Sequence, residues 1–275
     1  MSAAFVAFVV SIAAGGFGSL VGIGGGLIIV PVLTVALGYD VKSAIAASLI
    51  GVIATSLSAT PRYVRSGIAD RRLGLLLLVG ATLGGLTGGL TAGMLDGRVL
   101  ALLFGLLLTG VAIQMLRQIH RPATPPPVDD DDMASGFASS YLEPTSGEVV
   151  IYRARRLAPG AAVSFLAGNI SGLLGVGGGV INVPTMNVLM HVPIRVATTT
   201  STYMLAATAA ASASVYVASG QLDPLLAAPV ALGVIIGAQA GAHLSMRVSQ
   251  DTLRLAFVIV AAVFAAGMFS RFLEL

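Results

Sequence analysis

The stretch GIGGGLIIVP at residues 22–31 decides the fold of this chain, and it returns as GVGGGVINVP at residues 175–184. Both copies lie inside long runs that contain no Asp, Glu, Lys or Arg, at residues 3–39 and 160–190. At ~1.5 Å per residue, a single helix over the first run would be longer than the ~30 Å hydrocarbon core of a membrane. Because glycine interrupts helices, each cluster is predicted to divide its run into one full-length helix and one short helix.

The composition is that of a membrane protein. Hydrophobic residues make up 56% of the 275 residues and charged residues only 10%, with a mean hydropathy of +0.94. Soluble domains carry about 25% charged residues, so we expect membrane lipid to cover much of the surface. The formal net charge of +3 is too small to indicate a nucleic-acid partner. The absence of Cys from the sequence excludes disulfides and thiolate chemistry.

Further uncharged runs have close to the roughly 20 residues that a membrane-spanning helix needs. They lie at residues 43–61, 73–95, 99–116, 196–222, 224–246 and 255–270. Together with the two divided runs they predict an all-α polytopic membrane protein with about ten membrane segments. Two of these are short, at residues 26–38 and 179–190, and a count of eight helices stays open.

The chain is an internal duplication with an offset of 153 residues, as between Gly24 and Gly177. The same offset relates residues along about a hundred positions without a gap, so chance is a poor explanation. Paired residues include Gly15 with Gly168, Pro31 with Pro184, Ser48 with Ser201, Thr55 with Thr208, Tyr63 with Tyr216, Asp70 with Asp223, and Gly84 with Gly237. We therefore assign residues 1–117 to a first transmembrane repeat and residues 159–275 to a second.

The segment between the repeats, residues 118–158, has a different composition. It contains several prolines and a run of four aspartates at residues 129–132. Such a composition is typical of a solvated, partly disordered linker. Four consecutive aspartates cannot all face one ion, so we expect no metal site there.

The positions of the arginines predict that the two repeats have opposite orientations in the membrane. The loop after Tyr63 carries Arg65, Arg71 and Arg72, whereas the equivalent loop at residues 216–224 has no basic residue. Because cytoplasmic loops are enriched in Lys and Arg, the first loop is predicted inside and the second outside. Arginines on both sides of the linker place it inside, and both termini are then outside. Inverted repeats with interrupted helices are a recurring pattern of secondary transporters, whose substrate site lies at the repeat interface.

The helix breaks themselves are the candidate substrate site. A helix that restarts inside a membrane presents unpaired N–H groups and the positive end of its dipole, which together favour an anion. Glycine allows a close approach of the ligand and positive φ. The candidate binding residues are Gly24, Gly25 and Gly26 in the first break and Gly177, Gly178 and Gly179 in the second. Close helix packing is the alternative reading of these glycines, and it is the favoured one for Gly84, Gly88, Gly237 and Gly241.

Neutral side chains near the breaks are further candidates for contacts with an oxyanion. They are Ser48, Ser201, Thr200 and Asn182, of which the two serines occupy equivalent positions. The alternative for each hydroxyl is a helix cap or a bond back to its own helix. Tyr63 and Tyr216 are predicted to be anchors at the membrane interface. No Asp or Glu lies in a predicted span, and His243 lies near the end of one.

The motifs resemble the TauE/SafE sulfite exporter family, also called the 4-toluene sulfonate uptake permease family. The resemblance rests on the two GxGGGxxxxP segments, on residues 44–49 and 197–202 after them, and on the Ser-Gly-x-x-Asp loops at residues 66–70 and 219–223. It covers both repeats but not the linker. It implies transport of small anions, often sulfur-containing, such as sulfite, sulfonates, sulfoacetate or thiosulfate, by import or by export.

The sequence thus favours a secondary transporter of a small oxyanion in the bacterial inner membrane, working by alternating access. A passive anion channel and a non-transporting membrane scaffold are the alternatives. We expect no enzymatic activity, no cofactor and no metal, because no nucleophile–base pair and no cluster of metal ligands is present in the motifs. Apolar helix faces are compatible with a homodimer, although lipid accounts for them equally well.

Overall fold

The computed structural model describes residues 3–21, 23–120, 137–143, 147–244 and 250–274. Ten α-helices lie in these residues, five from each repeat. Their bounds are α1 (Ala3–Val21), α2 (Gly26–Pro31), α3 (Val41–Arg65), α4 (Arg71–Met94), α5 (Gly97–His120), α6 (Leu157–Leu174), α7 (Gly179–Pro184), α8 (Ile194–Ala218), α9 (Pro224–Leu244) and α10 (Gln250–Glu274). The short helices α2 and α7 each continue as a π-helical turn, Val32–Ala36 and Thr185–Leu189.

This architecture confirms the all-α polytopic fold and the two short helices. Five helices in the described part of the chain are long and apolar enough to cross a membrane, namely α3, α4, α5, α6 and α9. Large apolar side chains such as Val79 on α4 and Val263 on α10 are about two-thirds exposed. These outward faces are the surfaces that lipid covers.

Each short helix turns back beside the long helix that precedes it. Gly178 lies next to the middle of α6, since a Cβ on Gly178 would be 3.4 Å from the carbonyl oxygen of Ala167. The backbone N–H of Arg155, just before α6, donates to the carbonyl oxygen of Met190 after α7 (3.0 Å). The unit of α6 and α7 therefore starts and ends at the same side of the molecule. This leaves three consecutive long helices per repeat, the odd number of crossings that inverted repeats require.

Contacts between the repeats confirm that they are inverted. Gly74 at the start of α4 lies against Tyr203 near the start of α8, and Gly89 farther along α4 lies against Val215 farther along α8. The helices α4 and α8 are therefore parallel. Because α3 and α4 fold back on each other through the short turn at residues 66–70, α3 runs opposite to its repeat equivalent α8.

The two repeats are interleaved rather than side by side. Helix α1 packs along α9 of the second repeat, and α6 packs along α4 of the first. The closest approaches use glycine: a Cβ on Gly84 or Gly88 would overlap the backbone of α6, and one on Gly237 or Gly241 would overlap that of α1. Packing is therefore the role of these four glycines, as the sequence predicted.

A β-hairpin from the segment between the repeats covers the end of the molecule where α5 ends and α6 begins, called here the linker end. Its strands, β1 (Ala138–Leu142) and β2 (Val149–Arg153), pair antiparallel. The hydroxyl of buried Tyr152 donates to Asp70 Oδ2 (2.9 Å), and Arg195 forms an ion pair with Glu143 (2.9 Å). Burial and then the charge of Asp70 raise the pKa of Tyr152. The sequence analysis did not predict this hairpin. The four aspartates at residues 129–132 lie outside the described residues.

Candidate functional site

Both glycine clusters interrupt the chain with the same backbone conformation. The φ angles are +85° and +79° at Gly24 and Gly25, and +86° and +69° at the equivalent Gly177 and Gly178. Residues other than glycine rarely adopt this left-handed conformation. Gly26 and Gly179 are the first residues of α2 and α7. The predicted interruption of both runs is therefore confirmed.

The two breaks meet at the centre of the protein. A Cβ on Gly24 would be 3.0 Å from Val52 Cγ1 and 3.1 Å from Leu205 Cδ1. A Cβ on Gly177 would meet the same two side chains at 2.7 and 3.2 Å, together with the carbonyl oxygen of Ile23 at 3.2 Å. Val52 and Leu205 are equivalent residues of α3 and α8. The breaks thus face each other across the axis that relates the repeats.

Several buried N–H groups at the breaks have no acceptor within the described residues. Ile28 and Ile29 donate to the carbonyl oxygen of Gly25, which begins the hydrogen bonding of α2. The N–H groups of Gly26, Leu27 and Val180 donate to no carbonyl of the described chain, and these three residues are buried. An unpaired buried donor costs about 1–3 kcal/mol unless a water or a ligand pairs with it. These groups are therefore suited to a bound anion.

The two candidate serines are fully buried beside the breaks. The hydroxyl of Ser48 on α3 donates to the carbonyl oxygen of Gly175 in the second break (2.8 Å). Ser201 has the equivalent place on α8. The hydroxyl of Thr55 donates to the carbonyl oxygen of Gly24 in the first break (3.1 Å). This hydrogen bond, which tethers the break to α3, was not predicted from the sequence. Helix α3 therefore supplies a hydroxyl to each break.

Thr200 lies away from the breaks. Its hydroxyl oxygen accepts a hydrogen bond from the backbone N–H of Asp70 (2.9 Å), in the turn between α3 and α4 at the linker end. Its methyl group lies against Gly74 on α4. The structure thus does not bring Thr200 together with the six glycines, because its side chain lies against Asp70 and Gly74 at the start of α4.

The two tyrosines are not interface anchors, so that prediction is wrong. Tyr63 donates to the carbonyl oxygen of Ser19 and Tyr216 to that of Gly172, each at 2.9 Å. Both rings are buried, and both acceptors lie near the end of the long helix before a break. The equivalence of Tyr63 with Tyr216 indicated a shared role, and the structure shows that this role is to hold α1 and α6 at the breaks.

Two polar side chains of the second break have an atom without a partner. Asn182 on α7 is 3% exposed and Ser171 on α6 is fully buried. Neither Asn182 Oδ1 nor Ser171 Oγ has a hydrogen-bond partner in the described part of the chain. Ser171 lies against the break, with its Cβ 3.5 Å from the place of a Cβ on Gly178. The sequence analysis missed Ser171, although the offset of 153 residues shows it as a serine where the first repeat has Gly18.

Comparison with known proteins agrees with this architecture. The family model described as "Sulfite exporter TauE/SafE" matches residues 7–268, nearly the whole chain. The chain belongs to this family. Similar proteins include the "Probable membrane transporter protein YunE" of Bacillus subtilis, 29% identical over 260 residues and 92% of each chain. Another is a "Probable membrane transporter protein" of Methanocaldococcus jannaschii, 24% identical over 96% of this chain and 92% of the relative. No solved structure matches the chain significantly.

In this member of the TauE/SafE family, three cavities follow one another along the groove between α5 and α7. A cavity of about 40 Å³ touches Gly179, Val180 and Ile23 at the breaks. A larger apolar one of about 470 Å³ lies between α5, α6 and α7. A third of about 380 Å³ reaches Arg156 near the linker end. Gln114 on α5 lines all three, and the sequence analysis did not single out this polar residue within an apolar run.

The buried polar side chains described in this TauE/SafE protein are neutral. Among the residues whose burial is described, the buried polar ones are Ser, Thr and Asn, without any Asp, Glu, Lys, Arg or His. The search of the described residues also finds no group of three His, Cys, Asp or Glu close enough to hold a metal ion. His243 is exposed, and its Nδ1 lies 3.1 Å from the carbonyl oxygen of Gln239. Any ligand at the breaks would therefore be bound by backbone groups, hydroxyls and an amide.

Proposed function

We propose that this protein is a secondary transporter of a small oxyanion, with sulfite and organosulfonates as the first substrates to test. The observation that carries the proposal is the meeting of the two glycine breaks at the repeat axis, with unpaired buried N–H groups on both. Membership of the TauE/SafE family supports transport and supplies the suggestion of a sulfur-containing substrate. The names of both similar proteins support a membrane transporter.

In the proposed site the substrate lies between the breaks. The N–H groups of Gly26, Leu27 and Val180 donate to its oxygens, and the positive ends of the two restarting helices favour its charge. The glycines at 24, 25, 177 and 178 allow the backbone to come this close. Ser48 holds the second break in place through Gly175 and can exchange this bond for a contact with the anion, and Ser201 has the equivalent place on α8. Thr200 is not part of this set.

We propose that transport proceeds by alternating access, with one part of the interleaved repeats moving against the other. The linker end, with Arg65, Arg71 and Arg72 close to it, is cytoplasmic by the positive-inside rule. Both termini are then outside, in a bacterial inner membrane. The first repeat, residues 1–117, and the second, residues 159–275, contribute one break each, and the intervening linker is the cytoplasmic connection.

The test is anion flux into proteoliposomes that contain the purified full chain, with a panel of sulfite, thiosulfate, methanesulfonate and acetate. Gly25→Val and Gly178→Val should each lower the flux at least tenfold, because a β-branched residue is strongly disfavoured at positive φ and would displace the break. Gly93→Val is the matched control, since a Cβ at Gly93 meets nothing within 4 Å.

Wild-type flux in both break variants would contradict the site. Flux that does not saturate and shows no counterflow would favour the passive channel. A complete lack of flux of every anion by the correctly inserted wild-type protein would favour the scaffold and overturn the proposed function.

A further inference from the structure

We propose that Ser171 and Asn182 bind the substrate, so that side-chain recognition of the anion belongs to the second break, while the first break offers backbone N–H groups alone. This inference rests on the proposed function and assigns its specificity to two side chains. Both side chains belong to the second repeat, and both have a buried polar atom that no described residue satisfies. Buried polar atoms are nearly always paired in folded proteins, so each exception calls for a ligand, a water or another explanation.

The two side chains lie on the same part of the second break. The N–H of Asn182 donates to the carbonyl oxygen of Gly178 (3.0 Å), so Asn182 is one helical turn after it. Helical side chains lean over the preceding turn, which brings the Asn182 amide towards Gly178 and Gly179. Ser171 approaches Gly178 from α6. Ser171 and Asn182 therefore both belong to the residues around Gly178, one from α6 and the other from the first turn of α7.

The equivalent positions of the first break carry no polar side chain and leave no room for one. Asn182 corresponds to Ile29, a core residue that is 1% exposed. Ser171 corresponds to Gly18, where a Cβ would be only 2.6 Å from the Cα of Gly25. A Cβ on Gly25 would in turn be 2.8 Å from the carbonyl oxygen of Ala14, against 3.4 Å at the second break. The first break is thus packed more tightly against its long helix.

The equivalent residues Thr55 and Thr208 make different hydrogen bonds at the two breaks. Thr55 holds the first break through the carbonyl oxygen of Gly24. Its equivalent, Thr208, bonds instead to the carbonyl oxygen of Met204 within its own helix (3.3 Å). The second break is held instead through Ser48, which donates to the carbonyl oxygen of Gly175, and it also retains the unpaired polar atoms of Ser171 and Asn182 that a ligand can use.

The chemistry of this pair fits a small, singly charged oxyanion. A hydroxyl and an amide can each donate to an anion's oxygens, and each can also accept from a protonated oxygen. The buried residues around them are neutral, so no cation offsets the loss of hydration of a second negative charge. Hydrogensulfite and methanesulfonate have the required charge, whereas sulfate carries two charges.

The test compares Ser171→Ala and Asn182→Ile with two matched controls on α6, Ser164→Ala and Asn169→Ile. Ser164 is bonded to the carbonyl oxygen of Leu77 and Asn169 to Thr87 (3.0 and 3.1 Å), away from the breaks. Sulfite flux is measured in proteoliposomes at a pH where hydrogensulfite predominates. We expect each break variant to raise KM about tenfold, the effect of one hydrogen bond to a charged group, while the controls keep the wild-type KM. Excess methanesulfonate should inhibit this flux and excess sulfate should not.

Thermal unfolding separates binding from a structural role. Because Ser171 Oγ and Asn182 Oδ1 have no partner among the described residues, Ser171→Ala and Asn182→Ile should keep or raise Tm. A loss of flux with a lower Tm would assign the two residues to folding and overturn the inference. Wild-type KM in both variants, or inhibition by sulfate as strong as by methanesulfonate, would also overturn it while leaving the proposed function intact. Absence of wild-type flux would instead remove the proposed function and this inference with it.

Discussion

The first and second glycine breaks share their sequence pattern and their positive φ angles, yet they differ in what surrounds them. Gly18, Ile29 and the Thr55 tether enclose the first break. Ser171 and Asn182 flank the second, each with an unpaired polar atom. Duplication therefore preserved the backbone geometry of the break, while the side chains around it diverged. The difference indicates which break is fixed by the protein and which one a ligand can complete.

The features that both repeats retain form the frame of the site. Val52 and Leu205 fill the space between the breaks from equivalent positions. Tyr63 and Tyr216 make equivalent hydrogen bonds to the ends of α1 and α6. A symmetric frame is what alternating access between inverted repeats requires, because each repeat must be able to take the conformation of the other. The unpaired polar side chains of Ser171 and Asn182 are then a feature that the second repeat adds to the structure shared by both repeats.

The largest expected effect is a loss of stability when Gly18 beside the first break receives a side chain, as its equivalent Ser171 has beside the second. Gly18→Ala should destabilise the protein by about 3 kcal/mol or more, because the new Cβ overlaps the backbone of Gly25 and backbone cannot move aside cheaply. The yield of folded protein and its Tm in detergent measure this effect. Ser171→Ala at the equivalent position serves as the comparison, with Tm unchanged. Equal stability of the two variants would show that the breaks are not packed differently.

A smaller effect is expected from releasing the tether of the first break. Thr55→Val removes the hydroxyl that donates to Gly24 and should lower the free energy of unfolding by about 1 kcal/mol. If the first break binds the anion through its backbone alone, KM for the transported anion stays at the wild-type value. A denaturation series together with saturation kinetics in proteoliposomes tests both parts. An increase in KM as large as that of Asn182→Ile would mean that both breaks recognise the substrate.

Much of the fold could be predicted from the sequence because the informative motifs occur once in each repeat. The offset of 153 residues and the arginines of one loop predicted the inverted repeats, and the glycine clusters predicted α2 and α7. The hairpin was not predicted because the prolines and aspartates of the linker indicated a solvated, partly disordered segment. The run Val149, Val150, Ile151 and Tyr152 is nevertheless typical of a strand. Its burial depends on contacts with α4 and α8, which are distant in the sequence.

The site was predictable in its backbone and less so in its side chains. Glycine permits positive φ, so the clusters indicated where the helices are interrupted, although Gly26 and Gly179 of the same clusters are helical. Whether a hydroxyl is free depends on which carbonyl lies nearby in three dimensions, so Ser48, Thr200 and Ser171 could not be told apart by composition. Ser48 bonds to the opposite break, Thr200 to the turn before α4, and Ser171 to no described residue. The mismatch of Ser171 with Gly18 was the sequence feature that distinguished it.

The most direct test of the account is a structure of the wild-type protein with selenite, whose selenium can be located by anomalous scattering. We expect a selenium peak at the second break, with selenite oxygens about 3 Å from Ser171 Oγ and from the Asn182 amide. A peak beside Arg156 in the groove between α5 and α7, or one at Gly24 and Gly25 out of reach of both side chains, would contradict it.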